Sequence, residues 1–194
     1  KLEHGDLPKV AEYARRVAGE LGPWIDKGYD VIALVPSCAL MLKFEWPLIV
    51  PGVDAVKRLS ETTWDISEYI VDIARNKGLA PGLSPPPGTS PTSTTRSPLP
   101  GGITVHLACH ARAQNVGPKA AEMLRLIPDA KVTVIERCSG HGGSWGMMKD
   151  NFATALKVGR PVVRQAREAA NATVVSECPL AAMHIGQGIE KLAE

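Results

Sequence analysis

Aromatic side chains are scarce in this sequence, at 5% of 194 residues. A base-stacking platform for single-stranded nucleic acid is therefore not expected. Neither sign of charge dominates: Lys and Arg number 22 against 20 Asp and Glu, a net charge of +2. The basic footprint of a nucleic-acid binder is missing. The chain contains no run of about 18 or more apolar residues, so no transmembrane helix is predicted. The N-terminal Lys1-Leu2-Glu3-His4-Gly5 is polar, unlike a secretory signal, and begins without Met. A fragment, a processed product or a truncated chain is expected. Cysteine is sparse as well: Cys38, Cys109, Cys138 and Cys178. That is no dense disulfide framework for a chain of this size. Without an export signal, a cytoplasmic location and metal or redox chemistry are expected rather than disulfide staples.

What is present suits one good-sized domain. Hydrophobic residues make up 44%, enough for a core, and 1–194 reads as a single α/β domain. Apolar residues at helical spacing predict a first helix over about 7–21, ended by Gly22-Pro23. The run from Tyr29 to Val35 reads as a buried strand. Short helices broken by Pro47 and Pro51-Gly52 follow over 39–59. Asp65 to Lys77 reads as a helix closed by Gly78. Residues 79–101 are rich in Pro, Ser and Thr and read as a disordered insertion or linker.

Beyond the insertion the pattern alternates. Strands are predicted at Ile103–Ala108, Lys131–Glu136 and Ala172–Ser176. Helices are predicted at about 114–126, 147–158, 161–170 and 180–193. This β-α-β-α-β-α order implies a largely parallel sheet of about four strands flanked by helices.

Each of the four predicted strands ends in a cysteine, at Cys38, Cys109, Cys138 and Cys178. In a parallel sheet all C-terminal strand ends lie on one edge, where open α/β sheets bind ligands. Four thiolates gathered there suit an iron–sulfur cluster or a tetrahedral zinc site. Unrelated buried cysteines are the plainer alternative. The glycine-rich loop after Cys138, with Gly140, Gly142, Gly143 and Gly146, lets backbone approach a bound group and adopt positive φ. It has neither the dinucleotide nor the phosphate-loop pattern. His110 and His141 follow two of the cysteines and are candidates for an extra ligand, a sulfur hydrogen bond or a proton relay. His184 reads as structural and His106 as a satisfied, half-buried strand residue. Arg112 and Arg137 flank cysteines and either offset thiolate charge, contact an acidic partner or are simply solvated.

The segments Pro36-Ser37-Cys38-Ala39-Leu40-Met41, His106-Leu107-Ala108-Cys109-His110, Cys138-Ser139-Gly140-His141-Gly142-Gly143-Ser144-Trp145-Gly146 and Cys178-Pro179-Leu180-Ala181 together resemble the cysteine-rich CCG domain. That domain occurs in iron–sulfur oxidoreductases of the heterodisulfide reductase and anaerobic glycerol-3-phosphate dehydrogenase type, in one subunit of each complex. The resemblance implies an iron–sulfur electron-transfer component of an oxidoreductase. Its ligands would be Cys38, Cys109, Cys138 and Cys178. Gly140, His141, Gly142, Gly143 and His110 would surround the cofactor, a 4Fe–4S cluster or, alternatively, zinc.

A flavin- or ferredoxin-type subunit is the implied redox partner, with peripheral membrane association through such partners. Two positions depart from the family. Ser139 stands where the family has a second adjacent cysteine, and Ala181 where the last segment often has CxxC. A simple four-thiolate site remains, with His141 able to cover a missing ligand. A non-redox zinc docking module and a thiol–disulfide protein are the rival functions.

Overall fold

The computed structural model describes residues 2–79 and 99–191. Most of the expected insertion, over 80–98, lies outside the described residues. The chain divides into two compact units, Lys1–Tyr69 and Ile70–Glu194.

The first unit is built around α1 (Leu7–Ile25), whose first turn is capped by Asp6 accepting from the Lys9 backbone N–H. Val10, Ala14, Ala18 and Gly22 form one buried stripe at four-residue spacing. That stripe joins Trp46, Val50, Val56 and Leu59 in a core cluster. The helix runs through Gly22-Pro23, where the sequence predicts its end. Gly22 is buried, and the last turn keeps the bond from Asp26 N–H to the Gly22 carbonyl. Packing therefore outweighs the hydrogen bond that Pro23 deletes. The chain turns at Gly28, with φ of 85°.

The strand β1 (Val31–Ala33) is shorter than the predicted 29–35. It leads into α2 (Pro36–Leu40), a π-helical turn over Met41–Glu45, α3 (Trp46–Ile49) and α4 (Asp54–Thr62). Pro47 stands in the first turn of α3, which lacks intrahelical N–H bonds in any case, and so starts that helix rather than breaking it. An additional strand, β2 (Thr63–Asp65), pairs in parallel with β1. It passes straight into α5 (Ile66–Asn76), where Asp65 accepts from the Ser67 N–H.

The second unit carries β3 (Ile103–His106), β4 (Val132–Ile135) and β5 (Thr173–Ser176), all parallel, in the order β4-β3-β5. The four residues of central β3 are all buried, as a strand covered on both faces requires. Val105 packs with Ala120, Ala121 and Leu124 on one side. Ile135 and Val174 pack with Val162, Ala166 and Ile185 on the other. The helices there are α6 (Cys109–Ala113), α7 (Lys119–Leu124), α8 (Lys149–Ala169) and α9 (Pro179–Lys191).

Two helix boundaries differ from the sequence expectation. The helix predicted at 114–126 is shortened to α7, Lys119–Leu124, because Asn115 and Gly117 take φ of 56° and 83° and Pro118 precedes α7. Asn and Gly are the residues that accept this left-handed backbone. Conversely, the two helices predicted at 147–158 and 161–170 are one. α8 runs through Pro161 because Gly159, Val162, Val163 and Ala166 form its buried face.

The fold is thus α/β, with parallel sheets flanked by helices. Among the described residues it has five strands in two sheets rather than four in one. Among the described residues no helix is long and apolar enough to cross a membrane.

Candidate metal centre

Parallel pairing puts the C-terminal ends of β3, β4 and β5 on one edge of the three-stranded sheet. Each end delivers a cysteine. Cys109 opens α6 three residues after β3, Cys138 lies three residues after β4, and Cys178 precedes α9 two residues after β5. Cys109 and Cys138 are exposed and Cys178 is half-buried. Cys38 belongs to the first unit, as the third residue of α2 after β1, and is exposed.

The three thiols of the second unit and His141 form two close pairs. The Cys109 thiol lies within hydrogen-bonding reach of Cys138. Partial burial pushes its pKa up, the neighbouring Cys138 adds to that, and the Arg112 guanidinium opposes it. The Cys178 Sγ stands 3.7 Å from His141 Nε2. Among the described residues no three His, Cys, Asp or Glu side chains are close enough to enclose one ion.

The loop after Cys138 is shaped by what it rests on. Its Gly140 N–H donates to Cys138 Sγ at 3.4 Å. Gly140 has φ of 88°, and a Cβ there would collide with the Ala155 carbonyl and stand 2.8 Å from Gly159 N. A Cβ on Gly159 would in turn collide with the Ser139 carbonyl. The loop backbone therefore lies directly on α8. Gly142 and Gly143 also have positive φ. Gly146 does not; its role is close approach, since its N–H donates to the His141 carbonyl at 2.7 Å.

Ser139, next to Cys138, is buried, and its Oγ hydrogen-bonds His141 Nδ1 at 2.7 Å. Burial holds the His141 pKa below its usual value, helped by His184, His106 and His110. His110 is exposed on α6. Arg112 stands 3.8 Å from Glu136 across solvent-exposed side chains. Such a pair contributes little stability.

Residues that sequence reasoning gave no part in the site also meet at this edge. His106 is 1% exposed rather than half-buried. Its Nδ1 is 2.9 Å from Ser176 Oγ and its Nε2 is 2.8 Å from the Arg137 carbonyl. Cys178 N–H donates to the same Ser176 Oγ at 3.3 Å. Ala108 N–H donates to Glu177 at 3.1 Å. The available signal was position: each of these residues lies within three of a strand-end cysteine. His184 is buried, edge-on to Phe152 at 5.7 Å. Neither ring nitrogen has a hydrogen-bond partner among the described residues.

Residues 103–186 match the family model of the cysteine-rich CCG domain. The chain is 27% identical over 158 residues to a subunit of the anaerobic glycerol-3-phosphate dehydrogenase of Escherichia coli (strain K12). That alignment covers 78% of this chain and 35% of the relative. The same protein from Escherichia coli O157:H7 matches equally. The chain spans about a third of the length of these curated relatives. The stretch that matches the cysteine-rich CCG domain, residues 103–186, holds three of the chain's four cysteines, Cys109, Cys138 and Cys178.

Proposed function

We propose that this chain is an electron-transfer domain of an oxidoreductase and holds an iron–sulfur cluster at the strand-end edge of its second unit. The observation that carries the reading is the delivery of Cys109, Cys138 and Cys178 to one sheet edge by three parallel strands. Thiolates are the ligands of iron–sulfur clusters.

The spacing of the donors also bears on which group fits. Bonds of about 2.3 Å would draw zinc thiolates into one tight knot. Two separated pairs, Cys109 with Cys138 and Cys178 with His141, fit better around a group of several atoms. His141 is the candidate fourth donor within this unit or a hydrogen bond to a ligating sulfur. Cys38 is the fourth thiolate expected from sequence. A bound cluster would supply one-electron exchange.

The chain's own residues have other tasks. Ser139 orients the His141 ring, and the Gly140 N–H donates to the Cys138 sulfur. Donors to a ligating sulfur raise the reduction potential of a cluster by stabilising its more negative state. The curated relatives are dehydrogenase subunits by name. A flavin- or ferredoxin-type partner is therefore proposed here too, with substrate oxidation on that partner. A cytoplasmic location, reaching the membrane only through partners, belongs to the same reading.

The test is iron, acid-labile sulfide and zinc analysis with a visible spectrum, on protein purified without oxygen. Iron with sulfide and broad visible absorption is the expected result. One zinc per chain and a colourless protein would replace the cluster with a structural metal. Full cluster content in Cys38→Ser would remove Cys38 from the ligand set.

A further inference from the structure

We infer that His106 is a positioning residue that clasps the Cys138 loop to the Cys178 turn through a directed chain of hydrogen bonds. The chain direction follows from donor and acceptor capacity. A carbonyl only accepts, so His106 Nε2 carries the hydrogen and donates to Arg137 O. Nδ1 then has only a lone pair and accepts from the Ser176 hydroxyl. That hydroxyl oxygen accepts from Cys178 N–H. Every member is satisfied, in a residue that is 1% exposed.

Geometry gives the clasp its role. His106 closes the central strand, paired in register with Ile135 of β4 and Ser176 of β5. The ladder ends there, so nothing in the backbone pairing ties residue 137 to residue 178. The imidazole does, one residue before Cys138 on one side and at the Cys178 amide on the other. The inference rests on the cluster reading only for what the thiols hold. The clasp itself belongs to the metal-free protein.

The two ring nitrogens can be tested separately. Gln places its amide nitrogen near the Nε2 position and keeps the link to Arg137. Asn places its amide oxygen near Nδ1 and keeps the link to Ser176. The experiment is amide hydrogen exchange by mass spectrometry on the full metal-free chain, reading peptides over 136–141 and 176–182.

His106→Gln should speed exchange at 176–182 by about fivefold and leave 136–141 unchanged. His106→Asn should do the reverse. Ser176→Ala should repeat the Gln pattern. Equal acceleration of both peptides in the Gln and Asn variants, or none in either, would overturn the clasp. Iron and sulfide content of the wild type reports on the cluster separately. In cluster-loaded protein, the two variants should shift the paramagnetic signature of the reduced state while the far-ultraviolet circular dichroism stays that of the wild type.

Discussion

Gly140 and Gly159 oppose each other where the Cys138 loop lies on α8, and neither position has room for a Cβ. At Gly159 this reverses an ordinary rule. Replacing glycine by alanine inside a helix normally stabilises by about 0.5–1 kcal/mol. Here the added methyl meets the Ser139 carbonyl, which cannot retreat without lifting the loop. Gly159→Ala should destabilise by about 1–3 kcal/mol in urea unfolding and lower cluster content. Gly19, exposed on α1 with nothing near its missing Cβ, is the control. Gly19→Ala should stabilise by about 0.5–1 kcal/mol.

Burial holds the His106 pKa below its ordinary value of about 6.5, and the Arg112 charge adds to this; the hydrogen bond to Arg137 works the other way. Below that ordinary value the unfolded chain takes up a proton that the folded chain refuses. Stability is therefore lost as pH falls through about 6.5, by up to about 1.4 kcal/mol per pH unit from this group. Urea midpoints of metal-free protein between about pH 7.5 and 5.5 should fall accordingly. The His106→Gln variant should show a shallower fall.

His184 leaves both ring nitrogens without a hydrogen-bond partner among the described residues, in a site 1% exposed. An apolar residue of similar volume removes that desolvation cost and keeps the contact with Phe152. His184→Leu should raise stability by about 1 kcal/mol, measured by thermal or urea unfolding. A loss of stability would show that the imidazole is hydrogen-bonded in solution.

The Cys109 thiol is within hydrogen-bonding reach of Cys138. In metal-free protein, diamide should take up the two thiol hydrogens and leave a Cys109–Cys138 disulfide, found by peptide mapping after free thiols are blocked. Bound metal should protect both thiols. Cys178, which faces His141 instead, should stay reactive.

The parallel sheet of the second unit was legible because each strand is a short β-branched run followed by a cysteine. Ile103-Thr104-Val105, Val132-Thr133-Val134-Ile135 and Thr173-Val174-Val175 declare themselves. β2 was not, since Thr63-Trp64-Asp65 is three residues wedged between two helices with no period of its own. Pro23 and Pro161 misled in the same way. Local chemistry marks a stop, but each helix runs on because the face that buries Gly22 in one and Gly159 in the other stays packed past the proline. At 115–118 the helical spacing misled in the opposite sense, hiding the turn that Asn115, Gly117 and Pro118 encode. In the site, the thiols and the glycine loop could be read from spacing alone. The part played by His106 could not, because it depends on which carbonyl and which hydroxyl the register sets beside it.

The strand order β4-β3-β5 also fixes when this edge can exist. The central strand is made first, and its second neighbour arrives with residues 173–176. A chain leaving the ribosome therefore displays Cys109 and Cys138 before β5 has emerged, and His106 still lacks Ser176. The proposed metal centre is therefore complete only once β5 has docked, its timing set by the last strand to join the sheet rather than by the first thiol to appear.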